Sequence, residues 1–282
     1  MKPKPRPRHL LAVIILAGVA SSYGYLAVMD DRLSTSQVHV ATAALKNEDK
    51  GLFENDSVYG QRELWRLTSP AFLAVLQLTL VPTGFADPIL PFRALVGALA
   101  MLQLGAMYSL LYRQTSSWSI SVLVAIMSSA VLHTLGQWYW GVGSLGSITP
   151  AAMCCAMVPA VLLAYLKQEN SWRLILVFAF IGLMGNIHLI AAINLGLVLA
   201  IVFLIRKRMA ISAWPMALAC IMACGLCAMP YAIYTIALLN NIANQAQTAT
   251  ALATTETALA TKTNVMYPQI FSSLLSWALY LL

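Results

Sequence analysis

Two adjacent carboxylates at the end of an apolar run can do chemistry that a lone surface acid does not. Asp30 and Asp31 follow directly on the stretch Leu10–Met29. Such a pair can bind a divalent cation, Mg or Mn, which in turn holds a phosphate. One carboxylate of the pair can also act as general base towards a hydroxyl. Asp56, in Asn55-Asp56-Ser57, is a second acid in the same loop, a candidate metal ligand beside Asp31 and a candidate substrate anchor. Trp138 and Trp140, next to Gly141 and Gly143, are aromatic and small residues of the kind that wall a sugar or lipid pocket. Asn186 and His188 interrupt an apolar stretch, and a polar kink there needs a reason. His39 completes the set of candidate substrate contacts.

Each residue also has an ordinary reading. Asp-Asp past a helix is commonly a solvated helix end, and Asp56 in Asn-Asp-Ser suits a turn or cap. The tryptophans suit an interfacial belt. His188 could bond the backbone of the broken helix instead of a substrate.

The elements that must position these residues are membrane helices. Of the 282 residues, 60% are apolar and 10% are charged. A soluble domain carries about 25% charged residues. Several apolar runs reach the ~20 residues a spanning helix needs. The net charge of +7 does not signal nucleic acid, because basic residues stand at the ends of apolar runs and not in an aromatic-laced patch.

The basic, proline-rich tail 1–9 is expected in the cytoplasm, followed by a signal-anchor helix over 10–29. Seven of the ten acids fall in 30–66, so the outer loop, 30–92, is expected to carry juxtamembrane helices. Ser36–Glu48 reads as a surface helix. Leu67–Val81, bounded by Pro70 and Pro82, reads either as a short span or as a re-entrant or interfacial helix; charge placement favours the latter. A multi-span bundle follows over 93–239: Arg93–Tyr112, Trp118–Gln137, Pro150–Leu166, short helices Trp172–Asn186 and His188–Ile205, and Met209–Leu239 bent at Pro215 or Pro230. Residues 240–270 form an outer polar segment. Residues 271–282 begin a further apolar run, too short to span comfortably, that is expected either to lie in the interface or, the favoured reading, to continue in a longer protein. The expected class is therefore all-α, a polytopic membrane bundle of about eight helices.

Other chemistries find little support. The spans carry almost no acid or base, against a proton-coupled carrier. Nucleotide-binding and metalloprotease motifs are missing. Cys154, Cys155, Cys220, Cys224 and Cys227 all lie in apolar segments and read as small packing residues.

The order of these pieces resembles the polytopic C-type membrane glycosyltransferases, in particular a bacterial branch of them. The resemblance is carried by Tyr25-Leu-Ala-Val-Met-Asp-Asp31, His39-Val-Ala-Thr-Ala-Ala-Leu45, Gly51-Leu-Phe-Glu-Asn-Asp-Ser57, the helix starting at Ser69-Pro70, and Gly182-Leu-Met-Gly-Asn-Ile-His188 with Asn194-Leu-Gly196. It covers roughly residues 10–205, by pattern and order. Where that branch often has His-Pro, this chain has His188-Leu189. The resemblance implies a protein of the bacterial inner membrane that takes sugar from a polyprenyl-phosphate carrier at the outer face. Asp30 or Asp31 would be base or metal ligand and Asp56 the second acid. Other expectations are a non-catalytic accessory or scaffold subunit and, third, a transporter.

Overall fold

The structure is a computed structural model, and it describes residues 7–30, 33–49, 51–56, 68–80, 87–129, 132–133, 139–140, 146 and 148–252. Among these are nine α-helices: α1 Pro7–Met29, α2 Thr35–Glu48, α3 Pro70–Leu80, α4 Leu90–Thr115, α5 Trp118–Ser129, α6 Pro150–Gln168, α7 Leu174–Gly185, α8 Leu189–Arg206 and α9 Trp214–Leu252. The β-structure described is a two-residue antiparallel ladder pairing Leu132 with Trp140 and His133 with Tyr139. Five helices are long and apolar enough to cross a membrane: α1, α4, α6, α8 and the segment Ile211–Ala237. Their outward faces are apolar too, as at Leu226 (61% exposed) and Ile205 (62%).

The chain divides into two units, Met1–Asn170 and Ser171–Leu282. In the first, α4 packs against α1, α5 and α6. Side-chain contacts give the directions. His9 at the start of α1 meets Tyr108 near the end of α4, and Arg93 at the start of α4 meets Asp30 just past α1, so the two are antiparallel. Gly24 and Gly97 let them approach closely, since a Cβ on Gly24 would lie 3.7 Å from the Gly97 Cα. Buried Gln103 of α4 donates to the Ser128 carbonyl of α5 at 2.8 Å. Arg113 reaches the Leu166 carbonyl, which sets the end of α4 beside the end of α6.

The chain leaves α1 at the end where it later enters α4. In the segment between, α3 has 11 residues, about 16 Å at 1.5 Å each, half the hydrocarbon thickness. Helix α2 packs on α3 through Ala43, Ala44, Leu73 and Leu80.

Two expected spans differ from what forms. The stretch drawn over Trp118–Gln137 is helical only to Ser129 in the described residues. There Ser128 and Ser129 turn their hydroxyls back on the carbonyls of Ala125 and Ile126, a local competitor of helix continuation. The stretch drawn over Met209–Leu239 instead starts at Trp214 and runs 39 residues to Leu252. Pro215 falls in its first turn, where a missing N–H costs nothing, and Pro230 is carried inside the helix. The polar residues Asn240–Leu252 therefore continue a helix about 58 Å long.

In the second unit α7 and α8 form a hairpin, and both pack on α9. Contacts advance together from Gly182 with Cys224 to Gly185 with Ala228, so α7 and α9 run parallel. Cys224, Cys227 and Ala228 form the small-residue side that receives α7. The five cysteines are free thiols.

Candidate functional site at the acid-bearing end of the first unit

Where α1 ends and α4 begins, Arg93 is the organising side chain. It lies in the second turn of α4, and its Nη2 donates to the backbone carbonyl of Asp30 at 3.2 Å. Its Nη1 lies 3.5 Å from Asp87 Oδ2; the Arg93 side chain is 16% exposed and that of Asp87 43%. Asp87 in turn accepts from the Ile89 backbone N–H at 2.9 Å, which fixes the loop entering α4. One guanidinium thus ties three points of the chain together.

Gln37, which is 1% exposed, does the same for α2. Its Oε1 accepts from the Ser34 backbone N–H at 2.9 Å and its Nε2 donates to the Ile148 carbonyl at 3.0 Å. Thr149 then caps α6 by accepting from Ala152 at 3.2 Å. The end of α1, the starts of α4 and α6, and helix α2 therefore share one end of this unit. At the opposite end stand Arg8, His9, Arg113, Lys167 and Glu169. Bases outnumber acids there, whereas at the acid-bearing end Arg93 is paired with Asp87.

The candidate residues fall as follows. Asp30 is half-buried beside Arg93. Asp31 lies outside the described residues, as does Trp138. Asp56 is exposed, and its backbone N–H closes a turn on the Phe53 carbonyl at 3.0 Å. Phe53 holds a left-handed φ of 63° in that turn. His39 is exposed on α2. Trp140 is described by its backbone, in the short ladder. Among the described residues there is no group of three or more His, Cys, Asp or Glu placed to hold a metal. The structure brings Asp30 to the α4 start; the other candidates of this unit are not shown meeting it.

Asn186 and His188 belong to the second unit, at the α7–α8 junction. Asn186 Nδ2 donates to the Cys227 carbonyl of α9 at 2.9 Å. His188 Nδ1 accepts from the Ala191 backbone N–H at 3.1 Å and caps α8. An accepting Nδ1 carries no proton, so the ring proton of the neutral form sits on Nε2. Burial lowers the His188 pKa from its ordinary 6.5. The folded chain then binds fewer protons than the unfolded one. The stability from this cap is complete above pH 6.5 and is lost as pH falls below it towards the folded-state value. His188→Ala is expected to cost about 1 kcal/mol in unfolding measurements at neutral pH. His188→Asn, itself a good cap, keeps most of it and removes the acid sensitivity.

Arg93 and Gln37 were not legible as site residues, because a single Arg or Gln near a helix start carries no motif. The one signal was position: Arg93 opens an apolar run on the side where the acid-rich loop ends.

Compared with known protein families, with curated proteins and with solved structures, the chain gives no significant match.

Proposed function

We propose that this chain is an integral membrane protein, inserted with its basic tail in the cytoplasm, that transfers sugar from a polyprenyl-phosphate carrier at the outer face. The observation that carries the reading is the unequal charge of the two ends of the first unit. Arg8, Arg113 and Lys167 outnumber Glu169 at one end, while Asp30 and Asp87 outnumber Arg93 at the other, with the acid-rich loop entering there. That polarity agrees with the positive-inside rule and supports an outer position for the carboxylates. In this reading Asp31 and Asp30 provide the base or hold a divalent cation, with Asp56 as second acid ligand. In the same reading Trp140 and His39 contact the substrate from the first unit. The chain works in the plasma membrane of a bacterium.

The decisive assay is sugar transfer from a polyprenyl-phosphate donor by the reconstituted chain. Asp31→Asn is expected to lower the rate by about 10²–10⁴, the range for loss of a general base, while Asp49→Asn, on an exposed acid, leaves it intact. An Asp31→Asn chain as active as the parent sinks the enzyme reading.

A second reading has one observation in its favour. The side-chain amide of Asn186 and the Nδ1 of His188 are committed to backbone groups, as in a structural joint. A non-catalytic accessory subunit needs no more than that. It predicts co-purification with partner proteins and full function in Asp31→Asn.

A further inference from the structure

We propose that the basic end of the first unit holds the phosphate of an anionic glycerophospholipid in the seam between α4 and α6. The proposal rests on the membrane insertion put forward above, and not on sugar transfer.

Arg113 lies in the last turn of α4, and its Nη2 donates to the Leu166 carbonyl of α6 at 3.4 Å. The guanidinium therefore lies across the seam. Lys167 is the next residue on α6, and both side chains are exposed. A third exposed cation, Arg8, stands at the same end. Beside it, the ring of His9 lies 4.6 Å from that of Tyr112, the residue preceding Arg113. His9 Nδ1 is also 2.8 Å from the Tyr108 hydroxyl, which fixes the start of α1 against the end of α4. Among the described residues of this end, these cations face one acid, Glu169. The C-termini of α4 and α6 add partial negative charge that favours cations, yet each supplies only about half a unit. The end stays positive.

The chemistry of the seam fits a phosphodiester. A guanidinium fork bonds two phosphate oxygens at once, and an adjacent ammonium adds a point charge. The two cations close apolar helices, at the depth where a headgroup sits, with Tyr112 and Trp118 as the amphipathic rings common there. Basic pockets between membrane helices on the cytoplasmic side are suited to anionic headgroups. A nucleic acid would need a longer basic track than one seam provides.

The test is native mass spectrometry of the full chain released from nanodiscs of phosphatidylcholine mixed with phosphatidylglycerol. The parent chain is expected to retain phosphatidylglycerol about tenfold over phosphatidylcholine. Arg113→Gln with Lys167→Gln loses that preference, whereas Arg113→Lys with Lys167→Arg keeps it. Lys207→Gln with Arg208→Gln, in the other unit, also keeps it. Equal retention of both lipids by the parent overturns the proposal, as does a preference that survives the double glutamine change. Displacement of the lipid by millimolar inorganic phosphate also overturns it, by marking a free-anion site. Extraction of the chain from vesicles by alkaline carbonate would fail the insertion reading itself, which sugar-transfer assays do not address.

Discussion

Replacing Gly182 by leucine is expected to take the second unit apart. A Cβ at this position would collide with the backbone carbonyl of Cys224 and lie 2.8 Å from the Cys227 Cβ. Backbone cannot swing aside as a side-chain tip can. Gly182→Ala already forces α7 and α9 apart, at a cost in the upper part of the range of about 1–3 kcal/mol for overpacking, and Leu exceeds it. Part of the loss is dispersion, because neighbouring pairs along the helices separate together. Gly185 lies one turn on, where a Cβ would be 3.0 Å from that of Ala228, so the opening reaches the Asn186–Cys227 bond as well. The control is Gly225→Ala, one residue past Cys224 on α9. Nothing lies within 4 Å of a Cβ there. It is expected to be neutral or to stabilise by up to about 1 kcal/mol, as for glycine in a helix interior. Thermal unfolding of both variants in one detergent separates them. Equal melting would mean that α7 and α9 do not approach as described.

Removing the guanidinium at Arg93 is the second large effect. Arg93→Met keeps the length and apolar stem but loses the bond to Asp30 and the ion pair with Asp87. Hydrogen bonds to charged groups contribute about 1.5–3 kcal/mol each, and Asp87 is 43% exposed, so its share is screened. A loss of about 2 kcal/mol is expected. Asp87→Asn should lose much less, because the amide oxygen can still accept from Arg93 and Ile89. Chemical unfolding of the two variants checks the ordering. If Asp87→Asn costs as much as Arg93→Met, the ion pair and not the Asp30 carbonyl holds the α1–α4 junction. The same variants bear on function: a loosened junction shifts Asp30, so Arg93→Met should also slow any reaction that uses that carboxylate.

Much of the architecture was legible in the chain. Apolar runs bounded by Arg, Lys or Pro mark α1, α4, α6 and α8, because burial in hydrocarbon and backbone hydrogen bonding are satisfied residue by residue within one helix. The break between α7 and α8 shows in Gly185-Asn186-Ile187-His188 for the same local reason. The far end of α9 was less legible. Polar Asn, Gln and Thr residues read as either a surface helix or a flexible loop; up to Leu252 they extend a helix already nucleated by apolar residues, where adding a residue is far easier than starting a turn. The candidate site was legible only as a list of residue types. That Asp30 belongs to an Arg93 junction, and that Asn186 is spent on Cys227, depends on partners 63 and 41 positions away.

The sequence by itself determined that the chain is helical, apolar enough to cross a membrane several times, and charged asymmetrically along its length. Those properties are sums over neighbouring residues. Only the tertiary structure decided that the stretch around α3 returns to the end it left, and that Gly182 and not Gly225 faces another helix. It likewise decided that one arginine joins the ends of two helices. Each of these depends on which faces of distant helices meet, and helix periodicity leaves that choice open until the helices pack.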